Sequence, residues 1–202
     1  VKIGGGLQGG KLLIAANGML SIEALRQHRD LPLLEHLSGK ATYRVELRSR
    51  KGALETVIDG SLAGVASTLP EPLSKPVGEE LPFRLEHTPL PAGAPAAGKA
   101  VDREQWVANV GDALSLHLIR RKNDDALERG ALAIGQPLPA LPERGMTIAI
   151  NGATIDLDQW QRVLHAGGKK GEEGGNRPLT VDLKARELVV LGKHYNDVRA
   201  TL

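Results

Sequence analysis

Residues 41–50 read ATYRVELRSR, and this stretch decides the fold. Tyr43, Val45 and Leu47 fall on one side of an extended chain; Arg44, Glu46, Arg48 and Arg50 fall on the other. Successive side chains of a strand point to opposite faces, so this alternation marks a strand with one apolar and one charged face. Lys51-Gly52 reads as a hairpin turn, after which Leu54, Thr56, Ile58 and Leu62 carry an alternating return strand.

The second half of the chain repeats the pattern. Trp106, Ala108 and Val110 alternate up to a turn at Gly111-Asp112, then Leu114, Leu116 and Leu118 alternate with Ser115, His117 and Ile119. Asn123-Asp124-Asp125 has turn chemistry, and Gly130, Leu132 and Ile134 follow it. Met146, Ile148 and Ile150 form a short strand that is expected to end at Asn151-Gly152. Leu179, Val181, Leu183 and Ala185 alternate, Leu188 to Leu191 is continuously apolar, and Val198, Ala200 and Leu202 close the pattern. Short turns between strands predict a mainly β fold, a mostly antiparallel meander sheet whose apolar face must be covered by something.

One to three short helices interrupt the strands. Ser21 is placed to cap IEALRQH, Asp30 to cap a turn over LPLLEHL, and Asp156 or Asp158 to cap LDQWQRVLHAG. The domain reading is a single internal section, residues 1–202, of a longer repeating protein. Flexible loops are expected near 70–78, 89–99 and 167–178, and the three prolines of residues 70–76 predict extended backbone there.

Composition excludes several functions. With 26 basic and 24 acidic residues the net charge is +2, too balanced to argue for nucleic acid. The chain has no cysteine, which rules out disulfides and thiolate metal sites. Two Trp, two Tyr and one Phe leave no stacking platform for single strands. The apolar mass is Leu, Val, Ile and Ala, which suits flexible acyl chains better than flat rings.

Other motifs are weak. Gly4, Gly6 and Gly9 match GxGxxG, and Gly5, Gly10 and Lys11 match GxxxxGK, but Leu12 stands where a phosphate loop needs Ser or Thr. A glycine-rich turn or linker is the simpler reading. His28, His36, His87, His117, His165 and His194 form no ligand-spaced pair, and His117 alternates out toward solvent. Arg120-Arg121-Lys122 reads as a solvated strand edge, with contact to lipid phosphate as the sharper alternative. No catalytic residue, metal ligand or cofactor is assigned.

Three stretches together resemble the YhdP-type AsmA-like proteins of the Gram-negative envelope. These are Leu37-Ser38-Gly39-Lys40 with the strand through Leu47; Leu62–Phe83, which holds LPEPLSKPVGE; and Leu127–Trp160, with LERGALAIG, PLPALPERGM and IDLDQW. The resemblance implies a curved, mostly antiparallel sheet that forms an open apolar groove, in a periplasmic section of an inner-membrane-anchored bridge that shields phospholipid acyl chains on their way between the two membranes. It carries over no catalytic residue and no cofactor. The Gly/Lys-rich residues 168–176 lie outside the recognised pattern.

The groove lining expected from alternation is Tyr43, Val45, Leu47, Ile58, Leu116, Leu118, Leu132, Ile134 and Ile148. The expected partners are phospholipid acyl chains and the anchored parent chain, with exposed sheet edges or faces as a place for a second copy to pair. A closed β-sandwich serving as a structural or interaction module is the alternative, in which the same residues meet a second sheet.

Overall fold

The computed structural model describes residues 2–8, 11–28, 32–50, 53–90, 102–166 and 178–202. The strands are β1 (Lys2–Gln8), β2 (Lys11–Ser21), β3 (Leu37–Arg50), β4 (Ala53–Ser61), β5 (Val65–Ser67), β6 (Pro82–Leu90), β7 (Arg103–Val110), β8 (Leu114–Arg121), β9 (Leu127–Ile134), β10 (Gly145–Asp156), β11 (Leu179–Val190) and β12 (Lys193–Thr201). Helix α1 spans Ile22–His28 and α2 Leu157–Ala166, and a 3-10 turn covers Pro32–His36.

One open sheet holds these strands in the order β1-β2-β3-β4-β6-β7-β8-β9-β10-β11-β12, with β5 paired to the start of β3. Among the described residues there is no second sheet, so the closed sandwich is not the architecture here. Every pair from β1 to β9 along this path is antiparallel, as is β11 with β12.

The meander gives way after β9. β10 runs parallel to both β9 and β11. A parallel neighbour requires the chain to return the length of the strand before pairing again. Residues 135–144 make the first return, and Pro137, Pro139 and Pro142 keep that segment out of the ladder. It passes over small residues: Ala131 and Ala133 are fully buried, and Pro137 and Pro139 line a cavity of about 480 Å³ with Ala149. Nor does β10 stop at Asn151-Gly152. Both residues pair with β11, opposite Lys184 and Ala185, and the strand continues to Asp156.

Local signals explain the helices. Ser21 Oγ accepts from the Ala24 amide at 3.4 Å and starts α1. Asp156 accepts from the Gln159 amide at 2.8 Å, while the Gln159 side chain returns to the same carboxylate at 2.7 Å. Both bonds run to the Asp156 carboxylate, which caps α2, and they hold the Asp156 carboxyl below its ordinary range. Asp158 has a different task. Its carboxylate accepts from the Leu191 and Gly192 amides at 2.8 and 2.7 Å, tying α2 to the β11–β12 turn.

The first glycines of the run are strand residues, and Gly9 and Gly10 lie outside the described residues. Gly4, Gly5 and Gly6 lie inside β1, paired with Ala15, Ile14 and Leu13. The expected extended backbone at 70–76 is instead a turn closed by paired amides of Ser67 and Lys75, at 2.8 and 3.1 Å. Leu69, Pro70 and Lys75 are buried in it, and Lys75 Nζ donates to the Val65 and Pro76 carbonyls. The Asp30 cap, the Lys51-Gly52 turn, residues 91–99 of the second expected loop and residues 167–177 lie outside the described residues.

Candidate functional site

The ladder register sorts side chains onto the two faces. In a row across the sheet, Gly18, Tyr43, Gly60, Phe83, Val110, Leu114, Ile134, Ile150 and Leu183 are successive partners. The next row is Ala16, Val45, Ile58, Leu85, Ala108, Leu116, Leu132, Ile148 and Val181. A third is Ile14, Leu47, Thr56, His87, Trp106, Leu118, Gly130, Met146 and Leu179. Directly paired residues share a face. All nine residues expected from alternation therefore fall on one face, and the register adds Phe83, Leu85, Val110, Ile150 and Leu183 to them.

An intervening row has the opposite character: Asn17, Arg44, Asp59, Arg84, Asn109, Ser115, Ala133, Ala149, Asp182 and Thr201. Arg84 bridges Asp59 at 2.7 Å, and Glu46 on the same face binds both Arg44 and Arg48. The two arginines hold the Glu46 carboxyl below its usual range. Across β3, β4 and β6, charged side chains thus gather on one face and apolar ones on the other.

Burial distinguishes a core from a surface. Ile134 is buried, at 9% exposure, whereas the other eight expected residues are half-buried. A sealed sandwich interior would bury nearly all of them. Glycines on this face make room for large neighbours: Phe83 lies over Gly60, and Leu118 with Met146 over Gly130. Rings and side chains laid flat in this way cover the sheet without standing up from it.

The apolar face is covered at one end of the strands. There Ile22 of α1 packs with Ala41 and Val65, joined by Leu37, Leu62 and Phe83. Arg26 of α1 donates to the Leu34 carbonyl at 2.7 Å and ties the helix to the 3-10 turn. α2 packs against the same turn, and Trp160 Nε1 donates to the Glu71 carbonyl at 3.0 Å. Near the far flank, Leu183 and Ala185 form a second cluster with Ile155 and Leu188.

One polar group on the apolar face escaped the sequence reading. Glu104, partnered by Arg120 in the register, accepts from Trp106 Nε1 at 3.0 Å and meets His87 Nε2 at 3.0 Å. These residues come from three strands, and no spacing within one strand announces them. His117 requires a correction. It lies on the polar face between Val107 and Ala131, but it is half-buried and not turned out to water. Its Nε2 is buried without a partner among the described residues, and burial, aided by Arg129, pushes its pKa down.

Among the described residues no helix is long and apolar enough to cross a membrane, and no group of three or more His, Asp or Glu is placed to hold a metal. No curated protein and no solved structure matches the chain. The family model described as "YhdP protein" matches residues 2–202. The chain therefore belongs to the YhdP family, a membership that points to a lipid-transport-related protein of the cell envelope and not to a known enzyme class.

Proposed function

We propose that this chain is a periplasmic section of a lipid-transfer bridge, anchored through its parent protein in the inner membrane. Its aliphatic face shields phospholipid acyl chains in transit between the inner and outer membranes. The observation that carries this reading is the register: three consecutive rows of mostly aliphatic side chains cross nine strands on one face, and most of them are only half-buried.

So much aliphatic surface left only half-buried is unfavourable in water and marks an interaction site. Each methylene of a tail laid on it gains about 0.8 kcal/mol. Many such weak contacts retain a lipid without fixing it at one point, and a continuous surface lets it slide. Curling of the sheet would complete the groove. Along a flat sheet β3 and β10 are six steps apart, about 29 Å at 4.8 Å per step. α2 is only about 15 Å long at 1.5 Å per residue, yet it follows β10 and meets the turn that precedes β3.

Native mass spectrometry of the chain, purified from an envelope fraction, tests the reading. Wild-type protein is expected to carry phospholipid. Leu118→Asp and Leu47→Asp are expected to lose most of it, and Arg48→Asp to retain it. Equal losses in all three variants would contradict the assignment of faces.

A further inference from the structure

The apolar face is not aliphatic along its whole length. One step beyond the row of Trp106 and Leu118, Glu104 stands opposite Arg120. Glu104 is held firmly. Trp106 Nε1 donates to Oε1 at 3.0 Å, His87 Nε2 lies 3.0 Å from Oε2, and the imidazole and indole pack with centroids 4.3 Å apart. Its side chain is only 13% exposed. Burial pushes the carboxyl up, but the bonds from Trp106 and His87 and the charges of His87 and Arg120 outweigh it, so the group is an anion at neutral pH.

Arg120 contacts the turn that follows β8: Nη2 meets Asp125 Oδ1 at 3.0 Å and Nε donates to the Asp125 carbonyl at 3.3 Å. A guanidinium has five N–H donors, so these two bonds leave others free for an acceptor. Each Glu104 oxygen keeps a lone pair for a second donor as well. The face thus ends in a fixed anion and a cation on adjacent strands, both with unused hydrogen-bonding capacity.

Distance fits an amphiphile. Rows on one face are about 6.8 Å apart, so three apolar rows and the step to the charged pair cover about 20 Å. The hydrocarbon of one membrane leaflet is about 15 Å thick, half of the bilayer core. A tail lying along the strands reaches the charged pair with its head.

We propose that Glu104 and Arg120 form a headgroup station for a zwitterionic, amine-bearing phospholipid, whose phosphate sits on Arg120 and whose ammonium sits on Glu104. His87 and Trp106 position the carboxylate. Guanidinium suits phosphate geometrically, and a rigid indole bonded at its edge suits the boundary between apolar and polar surface. This inference rests on the lipid-bearing reading above.

The test incubates the chain with vesicles of phosphatidylethanolamine, phosphatidylglycerol and diacylglycerol in equal amounts and counts each bound lipid by native mass spectrometry. Wild type is expected to favour phosphatidylethanolamine. Glu104→Gln is expected to lower its retention about tenfold, to the phosphatidylglycerol level, which corresponds to about 1.4 kcal/mol. Arg120→Gln is expected to lower both phospholipids about tenfold relative to diacylglycerol, with Arg120→Lys restoring part of the loss. Should Glu104→Gln fail to fold, Arg120→Gln decides alone, because its bonds run to the adjoining turn. An unchanged lipid distribution in the variants overturns the station and leaves the lipid-bearing face standing. A wild-type chain that binds none of the three overturns both.

Discussion

Leu118 and Gly130 are direct partners across β8 and β9, and the space that Gly130 leaves is filled by Leu118 Cδ2 and Met146 Sδ. A Cβ at residue 130 would stand 2.7 and 2.6 Å from those atoms. Both are the far ends of flexible side chains, so they can swing away from the sheet. Gly130→Ala is expected to destabilise the chain by about 1 kcal/mol, the low end of the overpacking range. A lower urea midpoint with an unchanged slope checks this.

Trp160 and Glu71 are 89 positions apart in sequence and joined by one hydrogen bond of 3.0 Å. Trp160→Phe keeps a ring and removes the donor. Because Glu71 is exposed, water can replace the lost bond. The expected cost is about 0.5 kcal/mol, at the lower limit for a hydrogen bond. Amide exchange across residues 157–166 is expected to quicken, while β7 and β8 exchange as in wild type.

His117 gives a pH dependence of definite sign. Its pKa in the fold lies below the ordinary 6.5 because burial, and then the Arg129 charge, disfavours the cation. Below pH 6.5 the unfolded chain binds a proton that the folded chain resists, so stability falls as the pH falls. His117→Leu removes both this proton and the unpaired buried nitrogen. The variant is expected to melt higher than wild type at pH 5, with the gap narrowing toward pH 8. A gap independent of pH would contradict the buried neutral histidine.

Alternation made the faces legible because it is a property of each strand alone. Within β8, Leu114, Leu116 and Leu118 declare their side before any partner is known. Pairing is not local, and there the sequence was ambiguous. The prolines of 135–144 mark a segment outside the ladder, but the same residues suit a wide hairpin or a return over Ala131 and Ala133. Asn151-Gly152 carries turn chemistry, yet pairing with Lys184 and Ala185 keeps it extended. Glu104, His87 and Arg120 meet only once β6, β7 and β8 are in register. His117 was misjudged for a related reason: alternation gives its face but not what covers that face.

The central claim is that one face, and not the other, meets fatty chains. A photo-crosslinking residue placed in turn at positions 114 to 119 of β8, in cells, measures this directly. The expected result is lipid adducts at 114, 116 and 118 and few at 115, 117 and 119. Adducts of equal yield at all six positions, or the reverse alternation, would contradict it.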